Sequence, residues 1–383
     1  MAFRNRITGT NGDDNLDGTE RADLIDGRAG NDTIFGLDGD DELIGGRGRD
    51  TIDGGEGRDI LRGNEGADTL DGGAGEDRLS GGWHNDTLRG GGNGDLIFGG
   101  FGDDLIYGDY AQFAGGPDQG NDTIDAGSGD DTVYGGLGRN TLHGGDGSDK
   151  LYVIWDEFTA AGGDGGAAFG GEGDDLIRGD AGAETLDGGP GDDDIVGFEG
   201  NDRITGGPGN DTLTGANAFA AVGLTILDGG EGNDVLSGGF GTPAMFGGDG
   251  DDTLIIGQFE TVPSGTPLPE INGGSGFDTL DITARPDFTL IDDMPRAVDG
   301  IERIEMTDEF ENVLTLDVTG VLDASDETDT LIIAGDSNDR VIAIDDWTRS
   351  ETQEIDGVAY VAWRSADAVL LIDPDVQFST MMA

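Results

Sequence analysis

Gly45-Gly46-Arg47-Gly48-Arg49-Asp50-Thr51-Ile52-Asp53 runs directly into Gly54-Gly55-Glu56-Gly57-Arg58-Asp59-Ile60-Leu61-Arg62, and the same order returns in Gly72-Gly73-Ala74-Gly75-Glu76-Asp77-Arg78-Leu79-Ser80. The shared pattern is G-G-x-G-x-D-x-U-x, where U is a large aliphatic residue. It repeats without a break through residues 9–109. A period this strict takes precedence over local propensity and predicts a solenoid of stacked units.

Each place in the unit has a physical job. Glycine at the first, second and fourth places allows backbone angles that a Cβ forbids, so the first six residues read as a tight turn with inward carbonyls. Aspartate at the sixth place adds a carboxylate to those oxygens. The last three residues, x-U-x, alternate as a very short strand and send one apolar side chain inward. Hard oxygen ligands crowded together are the donor set that calcium takes.

In the first block the sixth-place carboxylates are Asp14, Asp23, Asp32, Asp41, Asp50, Asp59, Asp68, Asp77, Asp86, Asp95 and Asp104. The U places run from Leu16, Ile25 and Ile34 to Leu88, Ile97 and Ile106. The first unit is degenerate, as a capping coil would be. Residues 110–118 interrupt the period. A second block brings Asp122, Asp131 and Asp149, with Asn140 in place of one acid, which predicts a weaker site there. Residues 153–169 interrupt again. A third block carries Asp175, Asp193, Asp202 and Asp211, with Glu184 as a longer substitute. After 215–228 come Asp234 and Asp252, with Pro243 at an acid place between them. After 256–272 a last unit carries Asp278. These aspartates are the predicted metal ligands. The interruptions bring aromatics: Tyr110 and Phe113, Trp155 and Phe158, Phe219, Phe259. Such insertions build a binding face or simply cover the roll.

These nonapeptides resemble the RTX family (repeats-in-toxin, haemolysin-type calcium-binding repeats). The resemblance implies an all-β, right-handed parallel β-roll in which two nonapeptides make one coil. It places multiple Ca²⁺ ions between successive turns, held by the sixth-place aspartates and the turn carbonyls. It also implies export by type I secretion machinery through an uncleaved C-terminal signal, hence a secreted, extracellular bacterial protein.

From residue 282 glycine becomes sparse, and Val313–Leu316, Leu331–Ile333, Val341–Ile344, Val358–Trp363 and Val369–Ile372 alternate as short strands. The expected organisation is therefore a repeat β-roll over 1–281 and a C-terminal all-β cap over 282–383. Gly300–Glu305, Asn312–Leu316 and Asp356–Tyr360 look like the region that closes many RTX proteins, which assigns the secretion signal to that cap.

Composition narrows the function classes. Acidic residues number 81 against 20 basic, for a formal net charge of -61, and Lys150 is the lone lysine. No basic patch exists to release counterions from nucleic acid. There is no cysteine, hence no disulfide or thiol chemistry. No apolar run is long enough to span a membrane, and no N-terminal apolar region reads as a signal peptide.

Catalytic patterns are missing. The two histidines, His84 and His143, occupy unlike places in the repeat and form no H-E-x-x-H. There is no G-x-S-x-G elbow, and Lys150 is not in a P-loop. Asp13–Gly18 matches the front of an EF-hand loop, but Leu24 stands where a bidentate Glu is required. The Asn-Asp-Thr sequons fall at fixed repeat places, so the repeat explains them. With repeats starting within ten residues of Met1, no enzymatic or pore-forming domain is expected ahead of them. The sequence thus predicts a calcium-binding, non-enzymatic surface, matrix or adhesive component, with extracellular polysaccharide or a cell surface as partner. Alternatives are a calcium-dependent module of a polysaccharide-acting enzyme, or a toxin-like RTX protein.

Overall fold

The computed structural model describes residues 5–109, 120–154, 165–216, 225–239, 244–256, 270–282, 287–290, 298–306, 312–325, 329–344, 346–366 and 368–381. The insertion aromatics Tyr110, Phe113, Trp155, Phe158, Phe219 and Phe259, and Pro243, lie outside these residues. The chain divides into two compact units, Met1–Gly197 and Phe198–Ala383. This division falls within the repeats and differs from the 281/282 boundary expected from composition.

The first unit is a parallel β-roll. Strands alternate between two ladders. One contains Glu42–Arg47, Ile60–Glu65, Arg78–Trp83 and Leu96–Phe101; the other contains Thr33–Asp38, Thr51–Glu56, Thr69–Ala74 and Thr87–Gly92. Ile34 pairs with Ile52 and Ile52 with Leu70, a step of 18 residues, so two nonapeptides complete one coil. The U residues from Ile25 to Ile106 are fully buried and form one aliphatic column per ladder. Leu16, in the first coil, is only half-buried because it lacks a neighbour on one side.

The strands are longer than x-U-x. Thr51–Glu56 takes the last three residues of one unit and the first three of the next. The turn shrinks to the fourth, fifth and sixth places. The second- and fourth-place glycines Gly46 and Gly48 have φ of 120° and 128°, which a Cβ would strain. A Cβ on Gly46 would also collide with the carbonyl of Arg28 one coil away.

The interruptions do not shift the ladder. Ile97 pairs with Ile124 across residues 110–118. Three interruptions also end inside the roll: Ala168 pairs with Leu142, Leu227 with Ile204, and Ile271 with Met245. Each is a buried U residue whose unit has lost the sixth-place acid. Stacking requires only an apolar side chain at U, so these units left little trace of the nonapeptide.

In the second unit the parallel ladders run on beyond residue 281. Thr279–Ile282 pairs with Arg303–Met306, which pairs with Thr330–Gly335, which pairs with Ala368–Ile372. A further parallel sheet joins Asp287–Leu290, Val313–Leu316, Arg340–Ile344 and Gln377–Met381. The region expected as an all-β cap thus carries the parallel pairing on, with longer connections between its strands. One connection holds a short helix, Val318–Ala324, whose first turn is capped by Asp317 Oδ1 accepting from the Gly320 N–H at 2.7 Å. The ladder is closed by an antiparallel hairpin, Thr348–Ile355 and Val358–Ser365, paired to Ala368–Ile372. Tyr360, Ala362, Ile332 and Leu371 form its buried core. Among the described residues no helix is long and apolar enough to cross a membrane.

Because each coil rests on one aliphatic contact per strand, Leu61→Ala should lower the stability of the calcium-loaded protein by about 2–5 kcal/mol. Exposed Leu37→Ala should change it by less than about 0.5 kcal/mol. Thermal melts of both variants in saturating calcium check this.

Candidate metal centre

The three-residue turn turns the sixth-place aspartate inward at the edge of the roll. The turns repeat every coil, so the aspartates stand in columns. The backbone N–H of Asp32 donates to Asp50 Oδ1 at 2.8 Å, that of Asp50 to Asp68 Oδ1 at 2.8 Å, and that of Asp68 to Asp86 Oδ1 at 2.8 Å. The companion column runs Asp23, Asp41, Asp59, Asp77, Asp95, Asp122 by the same bond. In the second unit a column runs Asp211, Asp234, Asp252, Asp278 and ends on Glu302, whose Oε2 accepts the Asp278 N–H at 2.8 Å. All the predicted ligands except Asp14 are buried; Asp14, in the first coil, is half-buried.

Along these columns each carboxylate after the first has one oxygen held by a backbone N–H. The other is different. Oδ2 of Asp32, Asp41, Asp50, Asp59, Asp68, Asp77, Asp86, Asp95, Asp104, Asp122, Asp131, Asp149, Asp175, Asp252 and Asp278 is buried with no hydrogen-bond partner. Leaving a charged acceptor buried and unmet is costly. In Asp59 and Asp77 this oxygen faces a small space beside the first glycine of its own unit. A Cβ on Gly54 would lie 2.6 Å from Asp59 Oδ2 and 2.5 Å from the carbonyl oxygen of Gly72. A Cβ on Gly72 would lie 2.7 Å from Asp77 Oδ2 and 2.5 Å from the carbonyl oxygen of Gly90. At Gly54 and Gly72 glycine is therefore required by space, and it leaves a cradle lined by a carboxylate and a carbonyl.

Among the described residues no three Asp, Glu or His side chains converge on a point that could hold an ion. A cation in these turns would draw on one or two carboxylates and otherwise on backbone carbonyls. That mixed, all-oxygen donor set suits calcium and not zinc.

Desolvation and neighbouring acids both disfavour the ionised carboxylates in these columns. Burial raises the carboxyls of Asp41, Asp68, Asp77 and Asp104 to about 6, partly offset by the backbone hydrogen bond each accepts. Asp59 rises to about 7 and Asp86 to about 8, first by desolvation and then by repulsion from neighbours, Asp77 and Asp41 for the former, Asp104 and Asp68 for the latter. Asp95 reaches about 9, with Asp122, Asp77 and Asp109 adding to the burial. Without a cation, the columns favour protons.

The substituted places differ as their chemistry requires. Asn140 Oδ1 accepts the Asp122 N–H at 2.9 Å, as an aspartate would, but its Nδ2 donates to the carbonyl of Leu137 at 3.4 Å. A donor thus occupies the orphan oxygen's place. Glu184 is buried at the sixth place of its unit.

Several acids were not singled out from the sequence. Asp109 and Asp180 replace second-place glycines and are buried; Asp109 Oδ2 accepts the Leu137 N–H at 2.7 Å. Glu302 and Asp339 are buried beyond the nonapeptides. An outer row also stands at the fifth place: the N–H of Arg49 donates to Asn31 Oδ1 at 2.8 Å, and that of Asn31 to Asp13 Oδ1 at 2.8 Å. The recurrence of Asn and Asp at that place was its signal.

A roll of two nonapeptides per coil, with buried acidic columns and glycine cradles at its turns, defines an oxygen-ligand metal-binding solenoid. The profile of the RTX calcium-binding nonapeptide repeat matches residues 8–43, 35–70, 44–79, 62–97, 80–109, 118–151, 161–195, 196–217 and 223–254. These matches cover more than half of the chain, and the protein belongs to the RTX calcium-binding repeat family. No curated protein matches it.

The pH dependence of the calcium-free protein follows from the raised carboxyls. Their folded values lie above the unfolded value near 4, so the folded state binds more protons between about pH 4 and pH 9. That stability is present at low pH and is lost as pH rises through about 6–9. In chelator, far-UV circular dichroism should show more β structure at pH 5 than at pH 8. A chelated protein that orders on going from pH 5 to pH 8 would contradict this.

Proposed function

We propose that this protein is a secreted calcium-binding RTX protein whose roll folds on Ca²⁺ outside the cell, with a non-catalytic role as a surface, matrix or adhesive component. The observation that carries it is the set of buried Asp Oδ2 atoms lacking partners in the columns from Asp32 to Asp175, and again at Asp252 and Asp278. The sixth-place aspartates, with carbonyls such as that of Gly72, would hold the ions. Calcium supplies the positive charge that these oxygens lack. The chain's own part is to present the oxygens at fixed spacing, hold one carboxylate oxygen by a backbone N–H, and keep the cradle open with glycine.

Such a chain resists compaction where calcium is scarce and orders where it is plentiful, because metal binding free energy becomes folding free energy. Bacterial cytoplasm is calcium-poor, and extracellular modules bind calcium at about 10⁻⁴–10⁻³ M. This couples folding to export, for which the C-terminal residues would supply the type I signal. A formal charge of -61 favours calcium-bridged association at a cell surface or with extracellular polymer.

Circular dichroism with small-angle scattering, from chelator to about 10 mM calcium, tests the coupling. A cooperative gain of β signal with a shrinking radius in calcium, and no such change in magnesium, is expected; a chain already compact in chelator at pH 8 would refute it. Asp59→Asn gives a signed check. It should raise the calcium concentration at the midpoint, yet stabilise the calcium-free roll by removing a repelling charge.

A further inference from the structure

On the first unit, the third residues of alternate nonapeptides form a line along one ladder. Arg47 is paired with Glu65, Glu65 with Trp83, Trp83 with Phe101, Phe101 with Ser128, and Ser128 with Asp146. Arg47 Nε and Glu65 Oε2 meet at 3.0 Å. Beyond them stand the two most exposed large apolar side chains among the described residues, Trp83 at 58% and Phe101 at 55%.

The two rings are in contact, with centroids 4.8 Å apart and planes tilted by 36°. Trp83 therefore flanks Phe101 on one side. On the side away from Trp83, the strand neighbour of Phe101 is Ser128. That side chain is short, and its hydroxyl donates to the carbonyl oxygen of Gly100 at 3.5 Å, which draws it down to the backbone. One coil further stands the exposed carboxylate of Asp146. Phe101 and Asp146 are two strands apart, roughly 10 Å. Between a ring face and a carboxylate there is room for one planar group.

Elsewhere on the roll, rings receive a guanidinium from the chain itself. Arg78 Cζ lies 4.7 Å from the Phe98 centroid, and Arg89 Cζ lies 5.7 Å from that of Tyr107. Among the described residues no cation lies over Trp83 or Phe101. The surroundings are acidic, which attracts cationic partners. Two rings tilted by 36° offer no broad coplanar platform for a sugar. Of the cations, guanidinium is planar and both stacks on rings and pairs with carboxylates.

We propose that Phe101, Ser128 and Asp146 form a docking slot for an arginine side chain of a basic peptide segment, with Trp83 backing the ring. The slot goes beyond the calcium reading and requires only that the roll be folded.

The test uses the full chain in saturating calcium, with the fold of each variant verified first by circular dichroism. Calorimetry at 0.15 M salt compares a tetra-arginine with a tetra-lysine peptide. The arginine peptide is expected to bind more tightly. Phe101→Ala should weaken it about two- to fivefold while leaving the lysine peptide unchanged, and Asp146→Asn should weaken the arginine peptide by a similar factor. Equal affinities, or an arginine affinity indifferent to Phe101→Ala, would overturn the slot in favour of diffuse charge attraction. An uncharged cello-oligosaccharide whose binding disappears in Phe101→Ala would overturn it in favour of a glycan surface. If the verification step shows no calcium-dependent β signal, the folding proposal fails, while the peptide comparison still decides the slot in whatever conditions the roll is folded.

Discussion

Buried carboxylates at strand spacing repel one another, and the rest of the roll is arranged around that fact. Neighbours in one column lie about 4.8 Å apart, which at an effective dielectric near 20 corresponds to roughly 3 kcal/mol for each ionised pair. Desolvation adds to the repulsion. Asp95, beside Asp122, Asp77 and Asp109, is raised to about 9 by the two together. A column of this kind persists only with protons or cations among its oxygens.

The other places in the nonapeptide serve that column. The backbone N–H of each aspartate fixes one oxygen of the next, which sets the carboxylate's direction and leaves the second oxygen for a cation. The first glycine keeps the adjoining space open, as the Gly54 contacts show. The U residues keep successive turns in register, so the columns stay aligned across insertions. The fifth-place Asn and Asp repeat the same N–H to side-chain bond on the outside of the turn.

The coils near the C-terminus solve the same problem differently. Asp339 is buried like the repeat aspartates, yet Oδ1 accepts the N–H of Asn312 at 3.1 Å and Oδ2 accepts that of Asp336 at 2.7 Å. Both oxygens are satisfied by the backbone. The solenoid therefore passes from turns that call for a cation to a turn that meets its own polar groups. Its last ladder strand is covered by an antiparallel hairpin whose outer strand, Thr348–Ile355, is polar and largely exposed. A polar edge of this kind discourages further strand pairing.

The strict period made the roll, the apolar columns and the acid places readable from the sequence, because each is a demand that every unit makes on the same residue type. The five C-terminal strands were readable from their alternation. Units ending in Ala168, Leu227 and Ile271 were not, since stacking asks only for an apolar residue at U and lets the glycines and acid drift. Nor was the continuation of parallel ladders past residue 281, because long connections between strands erase the period while the pairing survives. The sequence by itself determined which residues face inward, since a two-fold strand alternation and a nine-residue period leave one choice. Only the tertiary structure decided that in Asp50, Asp59 and Asp68 one oxygen is bound by the coil before and the other is left unmet, because that depends on which N–H the preceding coil brings alongside.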